Sequence, residues 1–267
     1  MYTLKLAIIP ALTLLGFGFP DKPKIKEKAR AVESRMVKVN DTFYIAKTEL
    51  TNEEYAIFLA AHPAQSWLQP DATKWNNNPL GFRLVYDYSS FKNYPVVAIT
   101  YEAAMEYCKW LTEMYMARPG RKFKKVKFML PSRQDWLTAA HAGKPDYMYP
   151  WGRWGTKSRT GEYLANYRVI GDEQISFDSS TQKFVVIVNK EDEKYARLPA
   201  PVRSYWHKSS LGLYNVSGNV AEMVAEKGIA VGGSYNDAGY DVRIAAVKHY
   251  AQPSSEIGCR IAMYIQQ

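Results

Sequence analysis

The sequence predicts one α+β domain that combines a few helices and short strands with much irregular structure. Helix-start patterns occur at widely separated points, and short runs alternate between apolar and polar residues. The long stretches between them have no period. The 267 residues include 20 Tyr, 10 Phe and 7 Trp, and such large side chains can form a core where regular structure is scarce.

Three helices are predicted from their first turns. Thr51 and Glu54 form a capping box, in which a hydroxyl is followed three residues later by a carboxylate. Thr100 can cap a second helix. Ser132 and Asp135 repeat the capping pattern and start a third. Each start is followed by apolar residues at helical spacing, so each helix should bury one face.

Strands are predicted where apolar and polar residues alternate or where short apolar runs are flanked by turns. These segments are a hairpin over 35–46, then 125–130, a local strand at 183–188 within an inserted hairpin, 229–234 and 259–265. Residues 67–94 have no period and are predicted to form a long ordered loop, followed by a short extended segment.

The first residues resemble a targeting segment. Lys5 provides a basic start, residues 6–17 are mostly apolar, and small residues follow at the spacing that a signal peptidase needs. The apolar run is shorter than the roughly 20 residues of a membrane span. We therefore expect a signal peptide at 1–19, a linker at 20–34 and the domain at 35–267. The protein should be exported to the periplasm or the extracellular space, without a stable transmembrane span.

The net charge of +9 raises the question of an acidic partner. Basic residues cluster at 22–28 and 121–127, which could indicate nucleic-acid binding. We favour a solvated linker and a solvated strand edge as the explanation of these two runs, and we expect no nucleic-acid partner.

Several motifs, in order, resemble the formylglycine-generating enzyme (sulfatase-modifying factor) family. They are E-L-T-N-E-E-Y at 49–55, Y-P-V-V-A-I-T-Y-E-A-A-M-E-Y-C-K-W at 94–110, L-P-S-R-Q-D-W at 130–136, Y-P-W-G at 149–152, L-G-L-Y-N-V-S-G-N-V-A-E at 211–222, G-G-S-Y at 232–235 and G-C-R at 258–260. The resemblance implies the formylglycine-generating-enzyme fold, which is related to C-type lectin folds.

The resemblance also shows what this chain lacks. Active members of the family bind copper(I) through two cysteines that follow G-G-S, and soft thiolates are the ligands that copper(I) prefers. Here Asn236 and Tyr240 or Asp241 stand where that pair would fall, and residues 232–246 contain no cysteine. We therefore expect no copper and interpret the chain as a pseudoenzyme.

The resemblance implies a calcium site in the turn 215–222. Its ligands would be the amide oxygen of Asn215, the carbonyls of Gly218 and Val220, and the carboxylate of Glu222. These are hard oxygen donors that suit calcium. The alternative is a Gly-Asn turn without metal, with Glu222 at the surface.

A second calcium site of the family would use Asn166, the carbonyl of Tyr167, Asp192 and Lys194. The inserted segment 170–189 precedes the last two and obscures the match.

The family often links the helix of the Y-C-x-W motif to a cysteine just after G-F-R. Here the two cysteines are Cys108 and Cys259, and the second lies two residues before the family position, on the same face of a strand. The resemblance thus implies a Cys108–Cys259 disulfide. Two buried free thiols are the alternative.

The leading hypothesis is an exported, non-catalytic, calcium-stabilised binding or scaffold protein of the cell envelope with a protein or glycan partner. The former substrate groove is the expected binding surface, and its candidate residues are Trp206, His207, Ser234, Asn236, Asp237 and Tyr240. One alternative is a formylglycine-generating oxidase that acts on a cysteine of sulfatases. Another is a lectin-like glycan receptor.

Overall fold

The structure is a computed structural model, and it describes residues 29–75, 91–153, 155–170, 174–186, 198–205 and 209–266. The helices are α1 (Ala29–Ser34), α2 (Asn52–Ala61), α3 (Tyr101–Met116) and α4 (Arg133–His141). The strands are β1 (Met36–Lys38), β2 (Phe43–Ala46), β3 (Val126–Met129), β4 (Ile175–Asp178), β5 (Lys183–Val186), β6 (Ala221–Met223), β7 (Ile229–Val231), β8 (Val247–His249), β9 (Ile257–Cys259) and β10 (Ala262–Ile265). The predicted α+β class with much irregular backbone is confirmed.

The three helix starts lie where their capping residues predicted them. Thr51 and Glu54 form the complete capping box of α2. The hydroxyl of Thr100 accepts from Ala103 at the start of α3, and that of Ser132 accepts from Asp135 at the start of α4. These contacts satisfy amide groups that have no partner inside a helix, so they fix where each helix begins.

The first sheet divides the core into two hydrophobic clusters. Its strands are antiparallel in the order β1-β2-β10-β3. Alternate residues of a strand point to opposite faces, so Ala262 packs beside Trp136 of α4, whereas Met263 belongs to the cluster that contains α2 and α3.

The second sheet positions the candidate site. Its order is β8-β7-β6-β9, and the parallel pairing of β6 with β9 places Glu222 beside Gly258. The predicted single strand at 259–265 is wrong, because β9 and β10 belong to different sheets. Arg260 and Ile261 lie at the crossing, where Ala46 N donates to Ile261 O at 2.8 Å.

The predicted local strand at 183–188 is confirmed over 183–186 as part of a hairpin, and residues 187–188 lie outside the described residues. β4 and β5 pair with each other as a separate two-stranded sheet. Ile175 and Phe177 lie on the same face of β4, and both are about half exposed.

The folded region begins before the predicted boundary at residue 35. Ala29 and Val32 of α1 are buried in the core, and Glu33 accepts from Tyr115 Oη at 2.6 Å. The linker prediction is therefore wrong for residues 29–34, because these tertiary contacts hold a short helix. The signal-peptide prediction lies outside the described residues. Within the described ranges, every helix is too short or too polar to span a bilayer.

Candidate functional site

The turn that follows Tyr214 is shaped by left-handed backbone. Asn215, Gly218 and Asn219 have φ values of 50°, 75° and 64°. An added Cβ at Gly218 would lie 2.2 Å from Asn166 O, so only glycine fits. The Oδ1 atom of Asn219 accepts from Ala200 N at 2.7 Å and from Asn166 Nδ2 at 3.2 Å. The turn thereby holds the segments around residues 166 and 200 together.

A buried ion pair lies beneath this turn. Arg260 Nε is 3.0 Å from both carboxylate oxygens of Glu222, and Arg260 Nη2 is 2.6 Å from Oε1. Trp136 Nε1 donates to Glu222 Oε2 at 2.6 Å. The three residues are at most 1% exposed. Both oxygens of Glu222 are therefore satisfied by donors from α4 and from the β9–β10 crossing.

Glu49 is a second buried carboxylate beside the same arginine. Its oxygens accept from Asn219 Nδ2 at 2.8 Å and from Asn215 Nδ2 at 3.3 Å. Burial raises its pKa from 4.5 to about 7, Arg260 opposes that rise, and the charge of Glu222 adds to it. The sequence showed Glu49 only as the first letter of a motif, and its role in this cluster was not predicted.

We expect Glu49 to make the stability depend on pH. Because its pKa is about 7 in the folded state and 4.5 in the reference state, the folded protein binds more protons between these values. The free energy of unfolding should therefore fall as pH rises from about 4.5 to 7, on the order of 3 kcal/mol in total. Glu49→Gln should lose this slope. Urea unfolding at several pH values checks this, and an equal slope in both proteins would contradict it.

The predicted first calcium site fits the structure in part. Asn215 Oδ1 is buried and has no hydrogen-bond partner among the described residues, as expected of an oxygen aimed at a cation. The carboxylate of Glu222 is engaged by Arg260 and Trp136, and it is buried rather than at the surface. Asn215 with the carbonyls of Gly218 and Val220 would hold the ion, and the Glu222 side chain is not available to it.

The predicted second calcium site is described only in part. Asn166 Nδ2 donates to Leu198 O at 2.8 Å, and Tyr167 Oη lies 2.5 Å from Thr156 Oγ1. Asp192 and Lys194 lie outside the described residues. Within the described ranges, no group of three or more His, Cys, Asp or Glu residues could hold a metal ion.

A polar network lies beside Asn236, one of the residues that stand in the sequence where the copper ligands of the family would fall. Gly232 and Gly233, with φ values of 82° and 67°, end β7 and turn the chain back on itself. Asp237 Oδ2 then accepts from Ser234 N at 2.8 Å and from Ser234 Oγ at 2.7 Å. Lys248 Nζ is 2.9 Å from both carboxylate oxygens of Asp237. The turn is thereby held to β8.

The lysine of this network bridges two acids. Lys248 Nζ also forms an ion pair with Glu256, whose Oε1 accepts from Asn236 Nδ2 at 2.8 Å. Burial alone would lower the pKa of Lys248, but its hydrogen bonds and charge interactions with Glu256 and Asp237 outweigh burial and raise that pKa. The amine therefore stays protonated, and a protonated amine is neither a nucleophile nor a general base.

The groove beside this network is a depression of about 280 Å³ lined by Gly233, Asp237, Asp241, Arg243 and Lys248, among others. Tyr240 is 66% exposed, and the Arg243 guanidinium lies 3.2 Å from the centre of its ring. Asp237 lines this depression, and Tyr240 lies beside it against Arg243.

Other groove candidates have different positions. Ser234 is fully buried, so its expected place in the groove is wrong, because its hydroxyl belongs to the turn. Asn236 is exposed but donates to Glu256. Trp206 and His207 lie outside the described residues. Lys248 and Glu256 were missed, since no sequence motif links them to residue 237.

Both cysteines are free, buried thiols in one core cluster. Burial raises the pKa of Cys108 and that of Cys259, so neither is the accessible thiolate that metal binding requires. The Cys108–Cys259 disulfide is not formed in the structure, which matches the alternative of two free thiols. Their pairing in exported protein stays a prediction.

Comparison with known proteins identifies relatives of this architecture. The family model of the sulfatase-modifying factor enzyme 1-like domain matches residues 22–265. The chain is 26% identical over 185 residues to the inactive C-alpha-formylglycine-generating enzyme 2 of Mus musculus, in an alignment that covers 68% of this chain and 45% of that protein. The chain therefore spans less than half the length of this relative.

Two solved structures have a similar fold. CarF aligns with a TM-score of 0.56 at 20% identity, over 84% of this chain and 87% of its own. PvdO from Pseudomonas aeruginosa aligns with a TM-score of 0.55 at 16% identity, over 83% of this chain and 80% of its own. At these identities the likeness concerns the fold alone.

Proposed function

The chain belongs to the family of sulfatase-modifying factor enzyme 1-like domains, and from this premise we propose that it is a non-catalytic member that binds a partner through the groove beside Lys248. The observation that carries the proposal is the network of Asp237, Lys248 and Glu256 beside Asn236, which stands in the sequence where a copper ligand of the family would fall. Copper(I) prefers soft sulfur ligands, and this network offers an ammonium group between two carboxylates.

The buried thiols support the same proposal. Cys108 belongs to α3 and Cys259 to β9, and both lie in the hydrophobic core. Moving either one to the groove would require refolding of the core. The inactive relative in mouse is a precedent for loss of the oxidase reaction in this family.

The partner is proposed from the surface of the groove. Tyr240 presents a large exposed ring, and Arg243 and Asp241 add charges of both signs. Exposed aromatic rings beside charged groups suit contacts with a protein segment or a glycan. The apolar segment 6–17 supports export, which would place this binding protein in the cell envelope.

Calcium is proposed as a structural ion in the turn 215–222, supported by the unpartnered Asn215 Oδ1. Excess calcium should raise the free energy of unfolding, by about 2.7 kcal/mol at one hundred times the dissociation constant. Asn215→Gly should abolish this response, since glycine keeps the left-handed backbone and removes the ligand oxygen. Unfolding in calcium, in magnesium and in chelator checks this, and equal stability in all three would contradict it.

An oxidation assay tests the non-catalytic role. The purified protein is incubated in air with added copper(I) and a cysteine-containing sulfatase peptide, and the peptide mass is followed. We expect no conversion of the cysteine to formylglycine. An active formylglycine-generating enzyme, treated in the same way, is the positive control. Turnover by this protein above the copper-only background would contradict the proposal.

A further inference from the structure

A second cavity opens where the start of α2 faces the loop 201–204. Its volume is about 450 Å³, within the range of about 300–1,000 Å³ that small-molecule sites occupy. It shares no lining residue with the groove beside Lys248, and it contains none of the predicted calcium ligands. It is therefore a separate candidate site.

One wall of this cavity is held in place by the helix cap. Glu54 Oε2 accepts from Thr51 N at 2.9 Å and from Thr51 Oγ1 at 2.8 Å, and Glu54 Oε1 lies 3.0 Å from Arg35 Nε. The carboxylate is thus neutralised and fixed. The side chains of this wall are already fixed in place, so they would not have to rearrange when a ligand binds.

The opposite side is formed by exposed polar side chains. Val202 N donates to Asn93 O at 2.9 Å, which ties the loop to the segment before α3. Glu53, Asn93, Arg203 and Ser204 are exposed at the mouth of the cavity. At the mouth, the negative charge of Glu53 is offset by the positive charge of Arg203. On the wall, the charge of Glu54 is offset in the same way by Arg35.

A small, partly open cavity lies behind this wall. Its volume is about 30 Å³, and it shares Arg35, Thr48 and Glu54 with the larger cavity. A space of this size can hold a water molecule, and its polar groups can bind one. Most of its other lining residues are apolar, so the polar groups of the site are concentrated on the shared wall and at the mouth.

The balance of charge and polarity defines the ligand. A pocket with two positive and two negative groups favours neither an anion nor a cation. Pro201, Val202 and the aliphatic parts of the polar side chains supply more than half of the exposed lining, so the cavity can pack against the C–H face of a ligand as well as hydrogen-bond to it. Carboxylate, amide, guanidinium and hydroxyl groups together offer many donors and acceptors to a ligand with several hydroxyl groups. We infer that this cavity binds a neutral saccharide.

Saturation-transfer NMR and calorimetry with maltose, cellobiose, lactose and diacetylchitobiose test this inference. We expect at least one of these disaccharides to bind. Glu53→Gln and Arg203→Ala should each weaken binding about tenfold, as expected for the loss of one or two hydrogen bonds. Both side chains are exposed, so the melting temperature should stay close to that of the parent protein.

The controls are Glu106→Gln and Arg153→Ala, which remove similar charges from pairs elsewhere on the surface and should leave binding unchanged. Absence of binding by all four disaccharides would overturn the inference. Binding of glucuronate in preference to them would overturn the neutral class. Binding that survives both cavity variants, or that is lost in Tyr240→Ala, would place the ligand elsewhere and overturn the assignment.

Discussion

Arg260→Met is expected to lower the free energy of unfolding by about 3–5 kcal/mol, the cost of leaving a buried charge without its partner. Arg260 is fully buried and donates three hydrogen bonds to Glu222. It also donates to Ala46 O and Tyr214 O. The variant would leave the carboxylates of Glu222 and Glu49 in the core without a cation. Denaturant unfolding at neutral pH gives the measurement.

Two further variants separate the charge effect from packing. The double variant Arg260→Met with Glu222→Gln should be more stable to unfolding than Arg260→Met alone, because no unpaired carboxylate remains at position 222. Arg153→Met breaks an exposed pair with Asp146 and should cost less than about 1 kcal/mol. A loss below 1 kcal/mol for Arg260→Met would contradict the assigned role of the buried pair.

Gly218→Ala is expected to cause the second large decrease in the free energy of unfolding. Its φ of 75° is unfavourable for alanine, and the added Cβ would lie 2.2 Å from Asn166 O, so the turn 215–222 would have to move. We expect a loss of about 3 kcal/mol or more, from backbone strain and steric overlap together.

Gly212→Ala is the matched control for that variant. Gly212 has a φ of 80°, but nothing lies within 4 Å of an added Cβ. Gly212→Ala should lower the free energy of unfolding by only about 1 kcal/mol, from backbone strain alone. Thermal and denaturant unfolding of the two variants should differ clearly. Equal losses would show that contact with Asn166 does not constrain the turn.

Local patterns predicted the helices of this fold well. A capping hydroxyl and a carboxylate three positions later mark the helix starts at Thr51 and Ser132. The short helix α1 was missed because its support is tertiary. Glu33 is held by Tyr115 and by the backbone of Lys122, and a composition poor in apolar residues does not show such contacts.

The site was predicted less completely than the fold. The family motifs located the turn 215–222 and the missing cysteines. They did not show that Glu222 is neutralised by Arg260, because this pairing depends on the crossing of β9 into β10. Asp237 is paired with Lys248, 11 residues further along the chain, and Lys248 in turn pairs with Glu256, 19 residues beyond Asp237. Their approach depends on strand pairing and not on a local pattern.

Copper(I) binding at the turn around Tyr235 tests the central claim most directly. The protein is titrated with copper(I) against a chelating competitor, and any bound ion is examined by X-ray absorption. We predict that the competitor keeps the metal and that Asp237 remains paired with Lys248. A tightly bound copper ion with two sulfur ligands, or a two-coordinate ion beside Tyr235, would contradict the account.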